Sequence, residues 1–322
     1  MITGFYNRAS VLERTIESIL NQTFQDFELI VFDDKSTDGT AERLAELSAL
    51  YNDPRFRYTV HEQNKGFVCG LRDAIAQTTG EYIAIQGSGD ASLPKRLELQ
   101  VALLDERPDV GVVGGWYSNV QEDQGIRRLR SPNADDAGLN DFLKTNFFSH
   151  GEVMIRRNVY NAVGGYRVAF KYAQDRDLWL RIAKVSRFAT VPEPVYDRYV
   201  QFDGVSYVAS KIVSQACYSV AAARLAQMSP AQEAEALARI EASGPIAVIG
   251  TDDATVQKKI VNAAIRMVLF GSPAGEVEIA RSHILSPMVR NVLGAFGSIF
   301  DSPVSAPLRF FVRSAVGMKG GS

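Results

Sequence analysis

Between Met1 and Val113, short apolar runs alternate with stretches of helical spacing, and this alternation most constrains the fold. Leu29-Ile30-Val31-Phe32 is apolar without a break, as a strand covered on both faces must be. Tyr82-Ile83-Ala84-Ile85 and Val110–Val113 read the same way, and Phe56–Val60 alternates as a strand. Met1-Ile2-Thr3 reads as the end of a first strand that is either very short or begins upstream. Between the strands, Leu12, Ile16, Ile19 and Leu20 repeat at helical spacing behind a Ser10–Glu13 capping box. Leu44, Leu47 and Leu50 place a second helix, and residues 67–78 a third. Pro94 opens a fourth, carrying Leu97, Val101 and Leu104. Such alternation predicts an α/β fold with a doubly wound, mainly parallel sheet. Ligands of such sheets bind beyond the carboxyl ends of the strands. That singles out three loops: Gly4–Arg8, Asp33–Gly39 and Gly87–Asp90.

The texture changes after residue 206, which predicts a domain over 1–206 and a mainly helical extension over 207–322. Helices are expected over 207–228, from Ser229-Pro230-Ala231-Gln232 to about Gly244, and over 253–270. At roughly 150 residues per domain, 322 residues make about two. Lys+Arg 35 against Asp+Glu 37 leaves a net charge of −2, so no electrostatic case for nucleic acid arises. Cys69 and Cys217 lie far apart, which excludes a disulfide framework and a cysteine zinc site. His61, His150 and His283 do not cluster, and the two outer ones have no evident partner. No apolar run approaches the roughly 18 residues of a membrane-spanning helix, and no secretory signal is visible. The expected location is the cytoplasm, with 285–322 able to lie on the inner face of an anionic membrane. That tail combines Met288, Val292, Phe296, Phe310 and Phe311 with Arg290, Arg309 and Arg313. The alternative for the tail is a helix packed on the catalytic domain or a dimer contact. Trp116 is expected in the core or a pocket wall, and both cysteines as buried apolar groups.

Three segments carry groups that could do chemistry, each with a plain structural alternative. Asp33-Asp34 ends a strand at the ligand edge, where a carboxylate can accept from a base N–H or ribose hydroxyls. It could equally cap the following turn. Gly87-Ser88-Gly89-Asp90 lets the backbone approach a phosphate, and Asp90 could hold a divalent cation, or the segment is an ordinary turn. Asp175 and Asp177 open a helix at 174–182, where one could be a catalytic base or both could complement the helix dipole.

Taken together, these segments resemble the family 2 glycosyltransferases of GT-A fold. The resemblance rests on FYNRA (5–9), SILNQTFQDFELIVFDDKSTDGT (18–40), NKGFVCGLRDAI (64–75) and GEYIAIQGSGDASLPKRLELQ (80–100). PDVGVVGG (108–115), SHGEVMIRR (149–157) and GGYRVAFKYAQDRDLWLRIA (164–183) follow in the family's order. It covers about 1–206 and none of 207–322.

The resemblance implies a nucleotide-sugar site built from Gly4, Tyr6, Asn7, Asp33, Asp34, Gly66, Arg72, Ser88, Gly89 and Asp90. Tyr6 would lie against the base, Asp34 would accept from it, and Asp33 would support the loop. Asp175 matches the family's general base; His150, Asp177 and Trp179 fall on the acceptor side. Gly87–Asp90 takes the place of the acidic metal motif, commonly D-x-D-D, with only Asp90 retained. The resemblance thus implies Mn²⁺ or Mg²⁺ bound at Asp90 and already chelated by the donor's diphosphate, with backbone N–H groups helping. A second departure is Gln174, where an acid often precedes the base. The implied function is inverting, hexosyltransferase-like transfer from a UDP- or dTDP-sugar to a glycan or lipid-linked acceptor in cell-surface polysaccharide synthesis. The competing reading is a non-catalytic nucleotide-sugar-binding protein with a degenerate metal motif. A nucleotidyltransferase ranks last, because Tyr6-Asn7-Arg8 offers no glycine run for a triphosphate.

Overall fold

The computed structural model describes residues 1–122, 125–199, 209–250, 252–270 and 274–300. The chain divides into two compact units, Met1–Val200 and Gln201–Ser322. The expected boundary at 206/207 lies outside the described residues, as do the tail residues from 301 onward.

The first unit opens with the expected alternation. Strands β1 (Ile2–Phe5), β2 (Leu29–Asp33) and β3 (Phe56–Val60) form a parallel sheet in the order β1-β2-β3. Helices α1 (Leu12–Leu20) and α2 (Thr40–Tyr51) make the crossovers, and α3 (Phe67–Ala76) leads on to β4 (Tyr82–Ala84). Every residue of β1 and β2 is buried, the polar Thr3 and Asp33 included, as suits strands of mainly apolar composition. A parallel bridge between Ile2 and Ile85 carries the sheet onward.

Beyond that bridge antiparallel pairing enters. β5 (Ala91–Ser92), β6 (Val110–Gln121), β7 (Ile126–Arg130), β8 (Met154–Arg156) and β9 (Arg187–Tyr199) build a sheet in the order β4-β8-β6-β9-β5. β7 hangs on β6. Only the β6–β9 pair is parallel there, and its register slips beside Gly115, Trp116 and Pro194. Helices α4 (Arg96–Glu106), α5 (Leu139–Lys144), α6 (Arg157–Ala162) and α7 (Gln174–Ile182) complete the unit.

The sequence pattern misplaces a few local features. The Ser10–Glu13 capping box does not form; a single 3-10 turn at Ala9–Val11 leads into α1, and Val11 caps it without a side-chain bond. The neighbouring amides find partners elsewhere: Arg8 N donates to Thr40 Oγ1 at 3.0 Å and Ala9 N to Asp38 Oδ2 at 3.1 Å. Glu13 instead pairs with Arg43 at 2.8 Å. Strand β6 runs far past Val113 because its polar second half is held between β7 and β9.

In the second unit, among the described residues, six helices follow in order. They are α8 (Ala209–Leu225), α9 (Pro230–Ser243), α10 (Ile246–Ile249), α11 (Ala254–Phe270), α12 (Ala274–Ser282) and α13 (Pro287–Phe300). α9 starts as its sequence predicts: Pro230 follows the cap, Ser229 N donates to Gln232 Oε1 at 3.1 Å, and Gly244 ends the helix. No helix among the described residues is long and apolar enough to cross a membrane.

Candidate active site

Of the three loops at the carboxyl ends of the strands, side chains bind the first two to each other and hold the third to α1 and β9. Asn7, at φ +53°, joins the first two: its N–H donates to Ser36 Oγ at 2.8 Å, and its Oδ1 accepts from Thr37 N at 2.8 Å. Asp33 is fully buried and folds the second loop back on itself by accepting from Ser36 N at 3.1 Å and from the Ser36 hydroxyl. Tyr6 stands about half exposed beside them, presenting its ring to solvent. Gly4 has a packing role beside the expected ligand contact. A Cβ there would come within 2.1 Å of the Phe32 ring, so glycine makes room for core packing.

Asp34 is buried, and its carboxylate is already engaged. His61 Nδ1 lies 2.9 Å from Oδ1, Lys65 N donates to the same oxygen at 2.8 Å, and Gly66 N donates to Oδ2 at 2.9 Å. Asp34 thereby shapes the 61–66 segment and the N-terminus of α3, where Gly66 sits at φ +83°. Arg72 projects from that helix into solvent. His61 was legible in principle, since it directly follows the carboxyl end of β3.

The Gly87–Asp90 loop is held from both sides. Thr15 on α1 accepts from Gly89 N at 3.0 Å and donates to the Asp90 carbonyl at 2.9 Å; Arg14 Nε donates to the Gly89 carbonyl at 3.0 Å. On the other side Tyr196 of β9 donates its hydroxyl proton to Asp90 Oδ2 at 2.7 Å, and Tyr199 N donates to Oδ1 at 2.8 Å. The Tyr196 oxygen also accepts from Gly87 N at 2.9 Å. Two glycines make this possible. A Cβ at Gly87 would lie 2.3 Å from Asp90 Oδ2, and one at Gly151 would lie 2.1 Å from the Tyr196 oxygen. Burial pushes the Asp90 carboxyl up to about 6, against the opposing pull of Tyr196, Tyr199 N and the Arg198 and Arg14 guanidinium groups.

These residues suit the expected divalent cation poorly, offering it one carboxylate that is turned inward. Such an ion takes several oxygen ligands. Here Gly87 and Gly89 supply no carboxylate, and both oxygens of Asp90 already accept from protein donors. Among the described residues no group of three His, Cys, Asp or Glu side chains could hold a metal.

The acceptor side reaches the same loop through Gly151. Its neighbour His150 lies 2.7 Å from the Tyr166 hydroxyl through Nε2. Burial pulls the His150 ring below its ordinary range, while the nearby Asp175 carboxylate pulls it back up. Asp175 opens α7, half exposed, and accepts from Asn146 Nδ2 at 2.9 Å through Oδ2. Its Oδ1 meets no donor among the described residues. The other two acceptor-side candidates are not placed to meet a substrate. Asp177 is 2% exposed and sits between Arg167, at 3.3 Å, and Arg181, at 2.6 Å. Trp179 is fully buried among Phe148, Phe188 and His150. Asp175 and Asp177, two residues apart, project from nearly opposite sides of α7, while Trp179, one turn further along on the side of Asp175, is covered by packing.

Glu152, beneath the loop, went unnoticed in the sequence. It is fully buried; Oε1 accepts from Ser149 N at 3.2 Å and Oε2 has no partner. Burial pushes its carboxyl well above the ordinary range. The native state therefore keeps a proton that the unfolded chain releases above its own carboxylate pKa, and stability falls as pH rises from there. Asp90, pushed up to about 6, adds to the fall in the same direction. Glu152→Gln mimics the protonated form. The expected result is a smaller loss of stability between pH 5 and pH 7 than in the wild type, read from urea midpoints. An unchanged difference would show that Glu152 ionises freely.

The architecture is that of the GT-A glycosyltransferase fold, as its likeness to solved structures shows. A solved mannosyltransferase from Pyrobaculum calidifontis, PcManGT in complex with GDP-Man and Mn²⁺, shares it. It aligns at TM-score 0.57 with 20% identity, over 98% of this chain and 84% of its own. Residues 1–164 match the family described as glycosyl transferase family 2, and the chain belongs to that family. The putative glycosyltransferase EpsE of Bacillus subtilis is 38% identical over 184 residues, 56% of this chain and 65% of EpsE. The Escherichia coli UDP-Glc:alpha-D-GlcNAc-diphosphoundecaprenol beta-1,3-glucosyltransferase WfgD is 25% identical over 191 residues, 59% of this chain and 72% of WfgD. The chain thus spans less than two thirds of EpsE's length.

Proposed function

We propose that the chain is an inverting glycosyltransferase that moves a sugar from a nucleotide-diphosphate donor to a glycan or lipid-linked acceptor. One observation carries the reading. Asp175, a half-buried carboxylate with one oxygen open among the described residues, neighbours His150, and Gly151 beside His150 packs against the loop that takes the place of the family's acidic metal motif.

In this reading the nucleotide lies along the Gly4–Arg8 and Asp33–Gly39 loops, with Tyr6 against the base and Asn7, Gly66 and Arg72 around it. Asp33 and Asp34 fix the loops; Ser88 and Gly89 approach the diphosphate, and Asp90 fixes that loop in turn. The acceptor hydroxyl loses its proton to Asp175 Oδ1 as its oxygen bonds to the anomeric carbon. The bond from that carbon to the β-phosphate oxygen breaks, and the diphosphate departs with the electron pair. A carboxylate on one face and the leaving group on the other make a single displacement, hence inversion. Asn146 holds Asp175 in place. The domain over 1–206 would carry the whole donor site, and 207–322 would be an appended helical part.

WfgD's name supports a UDP-sugar donor and a lipid-linked acceptor. Cell-surface polysaccharide synthesis at the inner face of the membrane suits such an acceptor. In α13, Met288, Val292 and Phe296 lie on one exposed stripe at helical spacing, as peripheral contact with a membrane requires. The test is incubation with a panel of UDP-, dTDP- and GDP-sugars, following release of the nucleoside diphosphate. Release from a UDP- or dTDP-sugar, quickened by a lipid-linked acceptor, is expected. Nucleotide binding with no release from any donor would favour the non-catalytic reading.

A further inference from the structure

The glycines of the Gly87–Asp90 loop do more than remove carboxylates. Gly87 and Gly151 open the space that the Tyr196 hydroxyl and the Asp90 carboxylate fill, and a side chain at either position would collide with them. Gly89 adopts φ +88°, a conformation that suits glycine, while its N–H and carbonyl are pinned by Thr15 and Arg14. Asp90 is 9% exposed and turned towards β9, away from the role of a free ligand. The loop is therefore built around an inward carboxylate.

Positive charge gathers at the same place. The guanidinium groups of Arg14 and Arg198 both act on the Asp90 carboxyl. Arg14 stacks 3.5 Å over the Tyr199 ring and pairs with Glu122 at 2.9 Å. Arg198, two residues beyond Tyr196 on β9, lies 5.5 Å from the Tyr117 ring centre and acts on the buried Glu152 carboxyl as well as on Asp90, while among the described residues no carboxylate lies within ion-pair distance of it. At the tip of the loop, the Ser88 hydroxyl oxygen is enclosed and has no hydrogen-bond partner. A guanidinium presents forked donors that match phosphate oxygens.

We propose that this chain binds and releases the diphosphate of its donor without a divalent cation, with Arg198 meeting the phosphate charge. This rests on the donor site described under Proposed function. As the bond to the anomeric carbon breaks, the negative charge that grows on the β-phosphate is balanced by the Arg198 guanidinium, with no ion to load or discharge. Asp90 is then a positioning residue: together with Tyr196 it sets the loop and does not touch the donor.

The experiment is calorimetric titration of the full chain with UDP and dTDP, in excess EDTA and in millimolar Mn²⁺. It is repeated on Arg198→Gln, with the melting temperature checked for folding. The expected result is a Kd within about twofold in the two buffers, and a weakening of roughly tenfold or more in Arg198→Gln, the value of one charge-assisted phosphate contact. Binding that needs Mn²⁺, weakening at least tenfold in EDTA, overturns the proposal. Cation-independent binding that Arg198→Gln leaves unchanged overturns the assignment to Arg198. If no nucleotide binds in either buffer, the donor site itself is wrong and the inference falls with it.

Discussion

Asp175→Asn is expected to lower the turnover of donor and acceptor by about 10²–10⁴-fold, the range that positioned general bases contribute. Asparagine keeps the shape and the bond to Asn146 but cannot take the acceptor's proton. With Asp175 proposed on the acceptor side, the Kd for UDP should not move. That pairing of results matters more than the loss alone. A variant that loses both turnover and nucleotide binding has a disturbed fold, and one that keeps full turnover removes Asp175 from the chemistry. Replacing Asn146 by Ala should have a smaller effect on turnover, because it loosens the carboxylate without removing it.

Asp177→Ala is expected to act on stability instead. The Asp177 carboxylate is buried between Arg167 and Arg181, and Arg181 is itself only 6% exposed. Removing the acid leaves a buried guanidinium without its counter-charge, a change that costs about 3–5 kcal/mol. For a unit of this size that corresponds to a fall in Tm of roughly 6–20 °C. Had Asp177 met the acceptor, as its spacing from Asp175 allows, the variant would melt normally and lose acceptor turnover. Scanning calorimetry on the variant separates the two outcomes. An unchanged Tm would remove the structural role assigned to the pair.

The contrast between these neighbouring acids shows what a sequence can carry and what it cannot. Spacing places Asp175 and Asp177 on one helix start, but only packing decides which faces solvent. The parallel half of the sheet was legible because buried strands such as Leu29–Asp33 are continuous apolar runs whose ends mark the ligand edge. The site's second wall was not. Strand β9 carries Pro192 and Pro194 and a register slip beside Trp116, so its pattern does not read as a strand. Yet that strand delivers Tyr196, Tyr199 and Arg198 to the Gly87–Asp90 loop. Without Tyr196 in view, Gly87 and Gly89 look like simple losses of carboxylate. With it, Gly87 is the space its hydroxyl and Asp90 occupy. His61 was missed for a related reason: a lone histidine gains meaning only once Asp34 is seen against it.

The most direct test of the central claim is the configuration of the sugar at the moment it leaves the donor. With an α-linked UDP-sugar as donor and water as the only acceptor, proton NMR of the first-released sugar, before mutarotation, reports it. A single displacement assisted by Asp175 gives the β anomer first. Release of the α anomer first would contradict a lone base acting in one step and would require a different mechanism at this site.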